Sequence, residues 1–260
     1  MKIASWNINS LRKRQELLLD WLAKEQFDIV CLQETKCSDD QFPELALSAA
    51  GYRCVFHGQK SYNGVAILSR HELREREAAL CAEYEDPQAR IIAATVNNIR
   101  VFSIYAPNGQ AVGSPAFKYK LQWFAQLRDC LATAQKQFRD VVVCGDFNVA
   151  PDDRDVHDPA LWRGAIMCSE GERAAFRALQ QIGLHDTLRI HHRESGLFSW
   201  WDYRMLAFQK NRGLRIDAIM ANESLAKECT AAGIIRELRK GKDPSDHAPV
   251  WAEFSAGLSS

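Results

Sequence analysis

Four polar clusters interrupt apolar stretches of the chain: Trp6-Asn7-Ile8-Asn9, Gln33-Glu34-Thr35, Gly145-Asp146-Phe147-Asn148 and Ser245-Asp246-His247-Ala248-Pro249. Each begins or ends a segment that reads as a strand. A carboxylate at a buried strand end is costly unless it is paired, hydrogen-bonded or bound to a cation, and several together point to a cation. Glu34, Asp146 and Asp246, aided by asparagine amides, offer the hard oxygen donors that suit Mg²⁺ or Mn²⁺, whereas zinc favours His and Cys in a tetrahedral set. Any one of these carboxylates alone would serve equally well as a turn cap. The four clusters together support hard-metal hydrolysis. His247 is the only histidine beside a motif carboxylate. An Asp on another strand would orient its ring and stabilise the imidazolium, and Asp217 in Arg215-Ile216-Asp217 is the candidate.

The elements that must position these residues follow from apolar patterning. Residues 2–8 read as a strand, and Leu18, Trp21 and Leu22 mark one stripe of a helix ending before Phe27. The continuous apolar runs at residues 28–33 and 141–144 suit strands buried on both faces. Residues 64–68, 91–96 and 101–105 are β-rich, and the Asn97-Asn98 corner predicts a hairpin. Phe117, Leu121, Phe124, Leu127 and Leu131 trace a second helix. Ser169 with Glu172 forms a capping box for a third, running through Leu179 and Ile182. Residues 215–220, 231–235 and 248–254 read as late strands. Strands dominate, with no linker, repeat or low-complexity tract, which predicts two packed sheets flanked by helices in a single domain over residues 1–260, its core ending near residue 254.

Composition narrows the setting. The 260 residues carry 33 Lys+Arg against 33 Asp+Glu, so no long-range positive field marks a nucleic-acid binder, and local charge must decide. None of the eight cysteines forms a C-x-x-C pair, which predicts reduced core thiols. No secretory pattern or spanning apolar stretch is visible, and a cytoplasmic protein without membrane contact is expected.

Trp6-Asn-Ile-Asn9, Leu32-Gln-Glu-Thr-Lys36, Gly145-Asp-Phe-Asn148, Gly213-Leu-Arg-Ile-Asp217 and Ser245-Asp-His-Ala-Pro249, in this order and spacing, resemble the exonuclease III family over essentially the whole chain. The resemblance implies an α/β fold: a four-layered, deoxyribonuclease I-like α/β-sandwich with two central mixed sheets. It also implies a Mg²⁺-dependent phosphodiesterase, with Mn²⁺ as a substitute, acting as a monomer on duplex DNA at 3′ ends, nicks or abasic sites. The expected activities are 3′→5′ exonuclease, 3′-phosphatase or 3′-diesterase, and abasic-site endonuclease. By this resemblance Glu34 is the principal metal ligand, and Asn7, Asp246, Asp146, Asn148 and His247 complete or orient its shell. Asp146 holds or deprotonates the attacking water, and Asn148 positions it. Tyr105 stabilises the transition state or the departing oxygen. Asp217 orients His247, whose first role is electrostatic.

DNA preference is expected from basic and aromatic loops. Lys60, Tyr62, Asn63, Lys118, Lys120, Arg204 and Arg212 would meet phosphates, with Trp201 stacking on a base or sugar. Met167 lies in the segment that shapes the wall facing DNA in the family, and a bulky side chain pointing into the duplex there would favour 3′ termini over internal abasic sites. Two alternatives keep the fold. One is a phosphodiesterase on lipid or inositol phosphates, disfavoured by the Lys/Tyr and Trp/Tyr/Arg segments. The other is a catalytically silent nucleic-acid-binding protein, disfavoured by the intact acidic and His residues.

Overall fold

The computed structural model describes residues 1–79 and 86–255. Its strands are β1 (Lys2–Asn7), β2 (Ile29–Gln33), β3 (Arg53–His57), β4 (Val65–Ser69), β5 (Arg74–Glu77), β6 (Ile91–Val96), β7 (Ile99–Tyr105), β8 (Asp140–Asp146), β9 (Leu184–Asp186), β10 (Asp217–Asn222), β11 (Cys229–Ile234) and β12 (Val250–Phe254). The helices are α1 (Leu11–Glu25), α2 (Glu44–Ala49), α3 (Pro115–Gln137), α4 (Pro159–Trp162), α5 (Glu170–Gln181), α6 (Thr187–His191) and α7 (Glu223–Ala226). The strands form two six-stranded sheets, ordered β11-β12-β1-β2-β4-β3 and β5-β6-β7-β8-β10-β9. Both are mixed: β1–β2 and β7–β8 are parallel and the other pairs antiparallel. This is the expected four-layered sandwich.

Strand periodicity explains the continuous apolar runs. In β2, Ile29 and Cys31 face the core between the sheets, where they meet Val142, Cys144 and Ile219. Val30 and Leu32 face outward onto Leu18, Trp21 and Leu22 of α1. In β8, Val142 and Cys144 point inward, while Val141 and Val143 lie under Trp123, Phe124, Leu127 and Leu131 of α3. Each fully buried aliphatic side chain contributes roughly 1.5–3 kcal/mol, so removing either helix would uncover a whole layer. The described cysteines are all free thiols; Cys81 lies outside the described residues. Among the described residues no helix is long and apolar enough to cross a membrane.

Local signals hold where the chemistry is stiff. Asn97 and Asn98 adopt φ of 46° and 66°, the paired left-handed geometry of a two-residue hairpin turn, and Val96 pairs with Ile99 across it. Ser169 and Glu172 close their capping box at α5. Gly145 is required by contact, because a Cβ there would sit 2.0 Å from the Ile104 carbonyl oxygen of β7. Boundaries move at the late strands. β10 starts at Asp217, because the Arg215 N–H is taken by the Asp155 carbonyl and the Ile216 carbonyl by Phe147 N–H. β12 starts at Val250, because Ala248 N–H is held by the Ser199 carbonyl.

Beneath the site, Arg215 is buried and bidentate on Asp155, with Nε at 2.6 Å and Nη2 at 3.1 Å; its Nη1 reaches Asp186 at 2.7 Å. Arg189 also pairs with Asp155. Burial opposes ionisation of Asp155, but the two guanidinium groups outweigh it and hold its carboxyl below the usual range. A depressed folded value gives stability that is present above about pH 4 and lost as pH falls through the folded value. Urea unfolding should therefore show stability dropping below about pH 4. The drop should be shallower in Asp155→Asn, and equal slopes in the two proteins would count against this network.

Candidate active site

Parallel pairing with a helical crossover makes β1 and β2 end at the same rim, and likewise β7 and β8. Asn7 stands opposite Gln33, Tyr105 opposite Asp146, and antiparallel β10 brings Asp217 opposite Asp146. Gln33 hydrogen-bonds Ser5 on its own sheet and Ser103 on the facing one, tying the two rims together. The loop after β2 leaves the strand at Glu34 with φ of 49°, and Asn9 and Asn148 are also left-handed, at 47° and 51°. Such conformations are costly for residues with a Cβ and gather at functional sites.

The side chains converge from these ends. Asn7 Nδ2 donates to Glu34 Oε1 and to Asp146 Oδ2, both at 2.9 Å. Asp146 Oδ1 accepts the Asn148 N–H at 2.8 Å, and Asn148 Nδ2 donates to Ala106 O at 3.0 Å. His247 Nδ1 donates to Asp217 Oδ2 at 2.9 Å. The Ser199 hydroxyl donates to the same Asp217 oxygen at 2.6 Å and accepts the N–H groups of Ile216 and Asp217. The His247 loop is pinned to β1 by Trp6 Nε1 on the His247 carbonyl and Ser245 Oγ on the Asn7 carbonyl.

Burial opposes charging His247, but the carboxylates of Asp217 and Asp146 outweigh it and hold the imidazole up at about 10, so it is an imidazolium at neutral pH. Its Nε2 faces Asp146 Oδ2 at 3.7 Å, beyond hydrogen-bond range. That N–H has no hydrogen-bond acceptor among the described residues and is free for an incoming oxygen. Burial, with help from Asp217 and against His247, pushes Asp146 up to about 7. Burial and then Glu34 and Asp146 push the Tyr105 hydroxyl up, keeping it a donor.

Donor atoms of Glu34, Asp146 and His247 lie within 4.8 Å of one another. Two carboxylates drawn together across one amide group suit a hard divalent cation, and Glu34, with Asp146 beside it, could hold one. The other expected ligands sit differently. Asp246 accepts from Asn9 Nδ2 at 2.8 Å and Trp200 Nε1 at 3.0 Å. Asn7 and Asn148 turn their amide nitrogens toward Asp146, while their oxygens accept from Asn9 N and Asn108 Nδ2. His247 presents N–H rather than a lone pair.

A model of the Endonuclease/Exonuclease/phosphatase family matches residues 4–247. The chain belongs to that family. It is 36% identical to exodeoxyribonuclease III of Haemophilus influenzae, over 98% of this chain and all of that one. A structure of a Neisseria 3′ phosphatase bound to a product DNA hairpin superposes with a TM-score of 0.96 at 45% identity, covering 98% of this chain and 99% of the other. An AP endonuclease structure from Archaeoglobus fulgidus gives 0.93 at 36% identity, with coverages of 98% and 99%.

The DNA-facing expectations divide by burial. Lys60, Tyr62, Lys118, Arg204 and Arg212 are exposed, although Arg204 is paired with Asp202 at 2.7 Å. Asn63 is buried, its amide on Gln59 and Gln88. Trp201 is 1% exposed, bonded to Asn211 and edge-on to Phe208, so it is the core of its loop and has no face to stack on a base. Met167 does not project toward the open face: it is 8% exposed, packed with Ala150, Leu214 and Ile216 beside Trp162 and Trp200. The sequence offers Ser199 only within the Trp/Tyr/Arg segment expected to favour DNA and does not mark its bond to Asp217, and it does not single out the exposed Met205 and Leu206 beside Tyr203.

Lys120 is the clearest departure, because it is wholly buried and cannot reach a phosphate. Its ammonium pairs with Glu172 and donates to the carbonyls of Asn148 at 2.7 Å and Asn108 at 3.1 Å. Glu172 in turn accepts the N–H groups of Met167 and Ser169. Burial lowers the Lys120 pKa, while Glu172 opposes that fall. Lys120→Met should cost about 3–5 kcal/mol of stability and lower turnover by about 100-fold as the Asn148 loop shifts, with KM for DNA little changed. A raised KM with a reduced salt slope would instead restore the phosphate-contact reading.

Proposed function

We propose that the protein is a Mg²⁺-dependent DNA-repair phosphodiesterase of exodeoxyribonuclease III type. It removes nucleotides and blocking groups from 3′ ends of duplex DNA and cuts at abasic sites, working as a monomeric single-domain enzyme in the cytoplasm. The observation that carries this is His247, with Nδ1 held by Asp217 and Nε2 turned toward Asp146, within 4.8 Å of donor atoms of Glu34 and Asp146.

Hydrolysis of a phosphodiester needs an oriented water, a base and compensation of charge on the phosphoryl oxygens and the leaving oxygen. Asp146, with one oxygen fixed by Asn148 N–H, accepts a proton from the attacking water. The free Nε2–H of His247 donates to a phosphoryl oxygen, and Asp217 with Ser199 keeps the ring in place as charge develops. Tyr105, its hydroxyl kept protonated by burial beside Glu34 and Asp146, donates a hydrogen bond to the departing oxygen. Glu34 would hold Mg²⁺ beside Asp146, and the ion would supply Lewis-acid stabilisation of the phosphate. The exposed Lys60, Lys118, Arg204 and Arg212 neutralise backbone phosphates, and Tyr62 offers a stacking ring.

A 5′-labelled duplex with one internal abasic analogue tests this reading. Mg²⁺-dependent shortening from the 3′ end and a cut at the lesion are expected, both lost with EDTA or in Asp146→Asn. Cleavage that survives in Asp146→Asn would remove the assignment.

Met167, packed inside the wall rather than pointing at the duplex, can act on the balance between these two products only through the packing it gives that wall. Its φ of 68° is one that glycine adopts without strain, so Met167→Gly vacates apolar space beside Trp200, Leu214 and Ile216 at little backbone cost. The ratio of internal abasic cleavage to terminal trimming should rise in Met167→Gly. An unchanged ratio would show that Met167 is packing alone.

A further inference from the structure

Lys36 is absorbed by no step above, yet its ammonium sits inside the acidic cluster. Nζ lies 2.7 Å from Glu34 Oε2 and donates to Asn9 Oδ1 at 2.6 Å. Asn9 passes the contact on, its Nδ2 donating to Asp246 Oδ1 at 2.8 Å. With Asn7 on the other Glu34 oxygen, this principal carboxylate is already shared between an amide and a cation. The arrangement is not a chance surface pair. Thr35 and Lys36 N–H groups are held by the Gly64 and Asn63 carbonyls, and the Glu34 and Thr35 carbonyls by Ser10 and Leu11 N–H. Left-handed φ values at Glu34 and Lys36, 49° and 53°, are fixed by this clamp.

We propose that Lys36 is a tethered counter-cation that competes with the divalent ion for Glu34, so the chain itself limits how tightly metal is held. The inference rests on the metal reading above. A carboxylate at a metal site otherwise repels its neighbours whenever the ion is absent; Lys36 relieves that repulsion and must yield its place on Glu34 when the ion arrives. It has somewhere to go. Lys36 lines a cavity of about 520 Å³ with Lys13, Arg14 and Tyr203, open to solvent next to the site. Four rotatable side-chain bonds let an ammonium swing there without moving the clamped backbone.

Titration of the full chain with Mn²⁺, followed by the loss of the free-ion electron paramagnetic resonance signal, reads affinity without turnover. Lys36→Met should bind about tenfold more tightly or better, since a unit positive charge leaves the side of the ligand, and Lys36→Arg should stay near wild type. Melting in EDTA should be lower for Lys36→Met, and the Mg²⁺-induced rise in Tm larger. Lys36→Gln provides a second neutral variant if Lys36→Met does not fold. Unchanged or weaker Mn²⁺ binding in the folded neutral variants would overturn the proposal while leaving the metal site standing. Wild-type binding that is absent, or that persists undiminished in Glu34→Gln, would instead remove the metal reading and this inference with it.

Discussion

Glu34, Asp146, Asp217 and Asp246 share one rim between two sheets, and their mutual repulsion is the constraint around which the site is organised. Like charges drawn out of water must be neutralised, bridged or protonated. Each carboxylate meets this differently. Asp217 is matched by the His247 imidazolium and the Ser199 hydroxyl, Glu34 by Lys36 and Asn7, Asp246 by Asn9 and Trp200. Asp146 is left with amide and N–H donors and a histidine beyond bonding distance, and burial pushes it up to about 7. Asp146, wholly buried and with no cation in bonding contact, is therefore the one placed to take a proton.

A second set of charges acts at a distance from the chemistry. Lys120–Glu172 and Arg215–Asp155–Asp186 are buried pairs whose members are fully bonded. Such pairs add little net stability over apolar packing, but breaking one partner is severe. Their value here is positional. Lys120 gathers the carbonyls of the two loops carrying Asn108 and Asn148, and Glu172 continues the chain to Met167, so the Asn148 turn and the wall beside Trp200 are linked through two side chains.

How much of this was legible in the sequence follows from the range of each interaction. Central strands show themselves as unbroken apolar runs buried on both faces, and the helices α1, α3 and α5 because their burial is periodic. β5, with the sequence Arg-Glu-Arg-Glu and no buried face, gives no such signal, and neither does the three-residue β9. Glu34, Asp146, Asp217 and His247 were recoverable because strand ends concentrate them and the ordered motifs resemble a family. What was not legible is where a long side chain goes. Lys118 and Lys120 stand two apart on α3, one in solvent and the other sealed under Glu172, a partner 52 residues further on. Trp200 and Trp201 are adjacent, yet one caps Asp246 and the other fills its loop.

The same sorting changes the picture of the DNA face. A chain of zero formal charge has no field to steer a polyanion from afar, and several of its basic side chains near the site are spent inside the protein. Lys120 and Arg215 are buried, and Arg14 is committed to the carbonyls of Ile8, Asp243 and Pro244. Exposed apolar side chains also stand in the loop after Trp201: Tyr203, Met205 and Leu206, with Met205 and Leu206 in left-handed conformations. Without such a field the shape of the rim that carries Tyr105, Trp200 and the acidic cluster weighs more, and so does the rigidity of its loops. That rigidity is what the buried lysine and arginine pairs supply, and it gives the scaffold a direct part in substrate choice.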